Sequence, residues 1–213
     1  MVKLNDASIA KALVIGETGS GKSTFINYLT NYFRHGSLNN VKVAIPSKYR
    51  PHITEHFAHN ENNVSDTTQS KTDSCNQYMF NDDRTNRQYI FLDTPGLSDT
   101  RGAKQDDENM TKIIDSVETL GGIAAVIIVV NGTNPRLTAN MQNVIARLRG
   151  NLPDVVMDSV VVVLTNAKRH EANFDLKSLE LHGNVYPYYM QNSAFSQDAA
   201  TWDQRAMEVG LHK

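Results

Sequence analysis

With 213 residues, 40% of them hydrophobic, and a formal net charge of −2, the chain can build one packed α/β domain but lacks the positive excess of a general nucleic-acid binder. Its single cysteine, Cys75, excludes an intrachain disulfide and fits a reducing, cytoplasmic setting. Residues 1–6 carry no signal-peptide core, and the longest apolar run, 123–130, is far too short for a transmembrane segment.

Residues 1–10 read as a lead-in and residues 11–213 as a single domain. The apolar run 12–15 predicts a buried strand over 11–15. It opens onto Gly16-Glu17-Thr18-Gly19-Ser20-Gly21-Lys22-Ser23, which fits the phosphate-loop pattern G-x-x-x-x-G-K-[ST] at every fixed position. A helix is expected over 24–34, with Phe25, Leu29 and Tyr32/Phe33 on one stripe. Strand, glycine loop and helix form the context the pattern requires. The glycines let successive N–H groups curl toward phosphates, and the helix N-terminus adds its positive end. Glu17, Thr18, Gly19, Ser20, Gly21, Lys22, Ser23 and Thr24 are therefore the expected phosphate contacts. Lys22 supplies a full charge, and the Ser23 hydroxyl a ligand for Mg²⁺.

Residues 41–45 suggest a short strand. Residues 46–74 are strongly polar and poorly periodic, and read as a long mobile loop. His52, His56 and His59 lie in it, without the cysteines or acid cluster of a zinc site, and a solvated loop is the better reading. Two strands follow at 75–80 and 87–92, joined by the turn-rich 81–86. The second ends on Asp93-Thr94-Pro95-Gly96. A carboxylate at a strand end beside a phosphate loop can hold Mg²⁺ through water, and Gly96 can bring its N–H close to a γ-phosphate. A helix over 106–120, a central parallel strand at 123–130, a helix over 136–149, strands at 160–164 and 185–190, and a closing helix over 196–211 with Trp202 and Met207 complete the pattern. Alternating strands and helices predict βαβ units, with ligands beyond the carboxyl ends of the strands.

The phosphate loop together with Asp93-Thr94-Pro95-Gly96-Leu97 resembles the translation-factor-related GTPases, and most of all the septins and the immunity-associated nucleotide-binding GTPases. The resemblance runs from about residue 12 to 211. It implies a three-layer P-loop NTPase G domain with a mostly parallel central sheet. It also implies a first switch loop, reached through 46–74, in which Thr68 (or Thr67) binds Mg²⁺ and the γ-phosphate, and a second switch over 93–107. By this reading Ser23, Thr68 and Asp93 organise Mg²⁺, and Lys22, Thr68 and Gly96 serve catalysis.

Two places depart from the family pattern. Guanine is ordinarily read by an [NT]-K-x-D segment after a late strand. Here Thr165-Asn166-Ala167-Lys168 stands in that place, with lysine where the acid belongs. Asn166 can still accept one hydrogen bond, Glu171 is a candidate to reach inward, and Asn192-Ser193-Ala194 resembles the short loop that supports the base. Leu97 occupies the position where many GTPases carry a water-orienting glutamine, so slow hydrolysis is expected. Relatives with an apolar residue there often dimerise across the nucleotide face, which makes Arg101 and Arg136 candidate fingers. The expected protein is a GTP/GDP-binding switch that hydrolyses GTP slowly and forms a homodimer or nucleotide-dependent oligomer. The alternatives are a non-catalytic GTP/GDP assembly module and an ATP-dependent small-molecule kinase. The end at Lys213, just past the last expected helix, fits a domain cut from a longer chain.

Overall fold

The computed structural model describes residues 9–57, 74–97, 103–181 and 183–198. The described strands are β1 (Ile9–Gly16), β2 (Asn76–Asp82), β3 (Arg87–Asp93), β4 (Ala125–Asn131), β5 (Ser159–Thr165) and β6 (Asn184–Met190). The helices are α1 (Lys22–Phe33), α2 (Ala103–Thr119), α3 (Ala139–Asn151) and the one-turn α4 (Asp154–Met157) and α5 (Ser193–Ser196). The strands form one sheet in the order β2-β3-β1-β4-β5-β6. Only β2 runs antiparallel, as the hairpin partner of β3; the other four pairings are parallel. This is the α/β arrangement of a P-loop GTPase domain.

The layering follows from side-chain alternation along the strands. On β1, Leu13 and Ile15 join α2 and α3 residues such as Met110, Ile113, Met141 and Leu148 in one core. Val14, between them, faces the opposite core with Phe25 and Ile26 of α1, Phe80, Phe91 and Met190. The β-branched runs of β4 and β5 bury both faces, as central parallel strands must. All parallel strands then end on one edge, where Gly16, Asp93, Asn131 and Thr165 come together.

Residues 41–45 are not a strand. Two asparagines of α1 do the work of a neighbouring strand for them. Asn27 donates to the Ile45 carbonyl at 2.8 Å and accepts from the Ala44 and Ile45 amides at 2.9 and 3.0 Å. Asn31 donates to the Lys42 carbonyl at 2.7 Å and accepts from its amide at 2.9 Å. The start of the polar stretch is docked as well. Thr54 and Glu55 amides donate to the Val43 carbonyl at 2.9 and 3.1 Å, and Phe57 packs on Tyr78 and Phe80 at centroid distances of 5.1 and 5.2 Å. Residues 46–57 are thus part of the packed domain, while 58–73 lie outside the described residues. The closing helix expected over 196–211 does not begin at 196: α5 ends at Ser196, and Gln197 is extended. Residues 199–213 lie outside the described residues.

Asn27 is 1% exposed, and its loss would leave three main-chain groups of this segment without partners. Asn27→Ala is expected to lower stability by about 3 kcal/mol, since each orphaned buried group costs about 1–3 kcal/mol and partial rehydration recovers some of it. The urea midpoint checks this. A shift below about 0.5 kcal/mol would mean the asparagine ladder is dispensable.

Candidate nucleotide-binding site

The loop between β1 and α1 has the backbone its glycines permit. Gly19 and Gly21 sit at φ 79° and 101°, which side-chain-bearing residues rarely adopt, and Gly21 is the N-cap of α1. A Cβ on Gly16 would lie 2.3 Å from the Val129 carbonyl oxygen, so only glycine lets the loop leave β1 beside β4. Lys22 is 8% exposed and donates to the carbonyls of Gly16 and Glu17 at 2.9 and 3.2 Å. Its stem is packed and its ammonium is folded under the loop. Burial lowers the Lys22 pKa, while the Asp93 and Glu17 charges push it back up.

Asp93 is the facing group. It ends β3, is 1% exposed, and has a carboxyl pushed up to about 6 by burial, against the Lys22 charge and the Thr94 amide, which lower it. Its Oδ1 is fully enclosed and has no hydrogen-bond partner among the described residues, and the same holds for the Ser20 hydroxyl of the loop. A buried carboxylate oxygen with nothing to satisfy it suits a hydrated divalent cation, and Ser23 stands half-buried in the first turn of α1. The donor set is hard oxygen, as Mg²⁺ requires. Thr68 and Thr67 lie outside the described residues, as do Arg101 and the rest of 98–102.

Gly96 is held against the loop. A Cβ there would fall 2.2 Å from Thr18 Oγ1 and 3.1 Å from Thr18 Cα. The neighbour that Gly96 approaches closely among the described residues is Thr18. Thr94 anchors the turn by donating to the Val14 carbonyl at 2.9 Å.

The far side of the site gathers the segments after β5 and β6. Thr165 is fully buried and donates to the Ser20 carbonyl at 2.6 Å, so it braces the phosphate loop from below. Its methyl is also what a Cβ on Gly21 would meet, at 2.9 Å. Asn166 adopts φ 55°, which asparagine tolerates, and its amide donates to Asn192 Oδ1 at 3.4 Å. Asn192, Ser193 and Ala194 start α5 beside this contact. Tyr28 of α1 donates to the Gln191 carbonyl and packs on Phe195 at 5.5 Å, and Ser47 donates to the Phe195 carbonyl at 3.2 Å. Glu171 does not turn inward. It faces Lys168 and His170 on the surface at 3.6 and 3.5 Å.

The sequence reading missed three supports. Thr138 caps α3, accepting from the Met141 amide at 3.2 Å, and donates to the Glu17 carboxylate. This ties the loop to the start of α3, and a threonine directly before a helical stripe was the available signal. Asn109 of α2 donates to the Gly96 carbonyl at 3.4 Å, and Thr94 has the bond already given; neither carries a local pattern. Among the described residues no cluster of three metal-ligating side chains occurs, and no helix is long and apolar enough to cross a membrane.

Toc33 from Arabidopsis thaliana shares the fold. Its complex with Mg²⁺ and GMPPNP aligns with a TM-score of 0.55 at 15% identity, over 88% of this chain and 72% of that one. Its complex with GDP and Mg²⁺ gives 0.53 at 13% identity over the same shares. A structure of the chloroplast translocon components atToc33 and psToc159, for whose GTPase activity dimerization is described as important, gives 0.56 at 15% identity, again over 88% and 72%. At these identities the likeness is one of fold. No curated protein matches the sequence. Residues 11–166, more than half of the chain and the part that runs from within β1 through the phosphate loop to the end of β5, match the 50S ribosome-binding GTPases, and the chain belongs to that family of GTP-binding proteins.

Proposed function

We propose that this GTPase domain is a Mg²⁺-dependent switch of the septin-like or immunity-associated type, which hydrolyses GTP slowly on its own and faster when two copies meet across the nucleotide face. The observation that carries the reading is the pairing of a buried Lys22 under the phosphate loop with a buried Asp93 oxygen that has no hydrogen-bond partner among the described residues.

Each residue then has a task. The amides of 18–24 and the Lys22 ammonium bind the β- and γ-phosphates. Ser23, Thr68 and, through water, Asp93 hold Mg²⁺, which supplies charge neutralisation on the phosphate oxygens. Gly96 approaches the γ-phosphate, and Asn166, Asn192, Ser193 and Ala194 enclose the base through amide and main-chain groups in place of the missing acid. Hydrolysis proceeds by positioning and charge stabilisation, without a covalent intermediate. No side chain at position 97 can orient water, because Leu97 is fully buried, so the isolated domain is slow. Arg136 is exposed on the segment after β4, two residues from the Thr138–Glu17 contact, and is the finger available to a second copy. A reducing, cytoplasmic setting goes with the lone Cys75, whose thiol burial pushes up and away from reactivity.

Competition of a fluorescent GTP analogue by GDP, GTP and ATP tests the reading: GDP and GTP displace it and ATP does not. Chelating Mg²⁺ with EDTA is expected to weaken triphosphate binding at least tenfold, about 1.4 kcal/mol or more. Specific activity is expected to rise with protein concentration, and Arg136→Ala to remove that rise. A specific activity independent of concentration would refute the two-copy reading, and equal competition by ATP would refute guanine selectivity.

A further inference from the structure

Leu97 follows Gly96 at the position where water-orienting side chains are expected, yet it faces the other way. Its side chain is fully buried in the core with Leu13, Ile15, Leu92, Met110 and Ile113. Its main chain is paired on both sides of Glu17. The Leu97 amide donates to the Gly16 carbonyl at 3.3 Å, and the Leu97 carbonyl accepts from the Thr18 amide at 3.1 Å. The Glu17–Leu97 bridge extends the parallel β1–β3 ladder into the phosphate loop itself. The preceding carbonyl, that of Gly96, accepts from Asn109 of α2, and Gly96 itself is wedged against Thr18. Turning the residue outward would break two main-chain bonds and expose a whole leucine side chain.

We propose that Leu97 is a positioning residue, a plug that shapes the first half of the phosphate loop and couples it to α2, and that the side chain at 97 takes no part in orienting water. The proposal rests on the reading of 16–23 as a phosphate site. It explains why leucine stands there. A glutamine in its place would bury an amide without partners, at a cost comparable to losing a hydrogen bond, and would loosen the loop instead of completing a catalytic site.

Leu97→Gln, Leu97→Met and Leu97→Ala in the full chain test this. Leu97→Gln is expected to weaken Mg·GDP and Mg·GTP binding about tenfold or more and to leave hydrolysis no faster than in the wild type. Leu97→Met, close in volume, is expected to keep affinity within about threefold. Amide hydrogen exchange supplies a readout free of nucleotide. The Thr18 and Leu97 amides of the wild type are expected to exchange as slowly as those of β1, to stay slow in Leu97→Met, and to become fast in Leu97→Gln. Faster hydrolysis by Leu97→Gln at unchanged affinity would overturn the proposal, and so would unprotected Thr18 and Leu97 amides in the wild type. If Leu97→Gln does not fold, Leu97→Ala decides. Affinity that recovers fully at a temperature where Leu97→Ala is folded makes Leu97 an ordinary core residue and overturns the proposal; a persistent loss supports it. If the wild type takes up no Mg·GTP, the phosphate-site reading fails, while the exchange pattern still judges whether Leu97 fixes the loop.

Discussion

Replacing Lys22 by methionine is expected to weaken Mg·GTP and Mg·GDP binding at least 100-fold while the domain stays folded. Lys22 is 8% exposed, and its ammonium uses two of its three donors on the Gly16 and Glu17 carbonyls, which fixes it under the loop and leaves the third for a phosphate oxygen. Hydrogen bonds to charged groups contribute about 1.5–3 kcal/mol each, and the low local dielectric raises the Coulomb attraction to a polyphosphate. The one remaining hydrogen bond, together with the Coulomb attraction to the β- and γ-phosphates, amounts to about 3 kcal/mol or more, and each 1.4 kcal/mol is a factor of ten. Methionine keeps the packed stem and removes the charge. Folding should change little, because two carbonyls lose a donor while the penalty of burying an ammonium disappears. Titration with a fluorescent nucleotide and urea unfolding separate the two effects. A dissociation constant within about fivefold of the wild type would mean that Lys22 holds only the loop and not the phosphates.

The fold was legible because its signals are local and repetitive. Residues 125–131 and 159–165 are β-branched runs that have little choice but a buried strand, and the α2 and α3 stripes mark their inner faces. The phosphate loop was legible for a different reason: eight positions in a row answer to one backbone shape. The misreadings share a cause. Residues 41–45 have strand-like composition, but their main-chain partners are the side chains of Asn27 and Asn31 on α1, a contact that no propensity encodes. Phe57 is one aromatic residue at the head of a polar stretch, and its docking on Tyr78 and Phe80 appears only once β2 is in place. At the site, Lys22 and Asp93 could be named from their motifs. Their burial, and with it their perturbed acidity, depends on the packing of β1, β3 and α1 around them. Leu97 is the sharpest case: the sequence showed what it cannot do, and the structure shows what it touches instead.

Asp93 should make the metal-free, nucleotide-free protein more stable as the pH falls from 7.5 toward 5, the reverse of ordinary acid destabilisation over that range. An unfolded aspartate titrates near 3.8, and burial raises this one to about 6 in the fold, outweighing the Lys22 charge and the Thr94 amide. The folded chain therefore holds the proton more tightly than the unfolded chain. Ionisation costs folding free energy that grows between about pH 4 and pH 6 and is constant above. At 1.36 kcal/mol per pH unit, the cost at pH 7.5 is about 3 kcal/mol. Asp93→Asn cannot ionise. It should be the more stable protein at pH 7.5, and the difference from wild type should hold down to about pH 6.5 and shrink from there toward pH 5. A bound Mg²⁺ reverses the preference, because the cation needs the ionised oxygen, which has no hydrogen-bond partner among the described residues. Mg·GDP should accordingly raise the wild-type urea midpoint most at pH 7.5 and progressively less below pH 6, where the proton competes, and should raise the Asp93→Asn midpoint little at any pH. Parallel pH profiles for the two proteins without ligand would mean that Asp93 is ionised at no cost in the fold. Equal protection of both by Mg·GDP would remove Asp93 from the metal site.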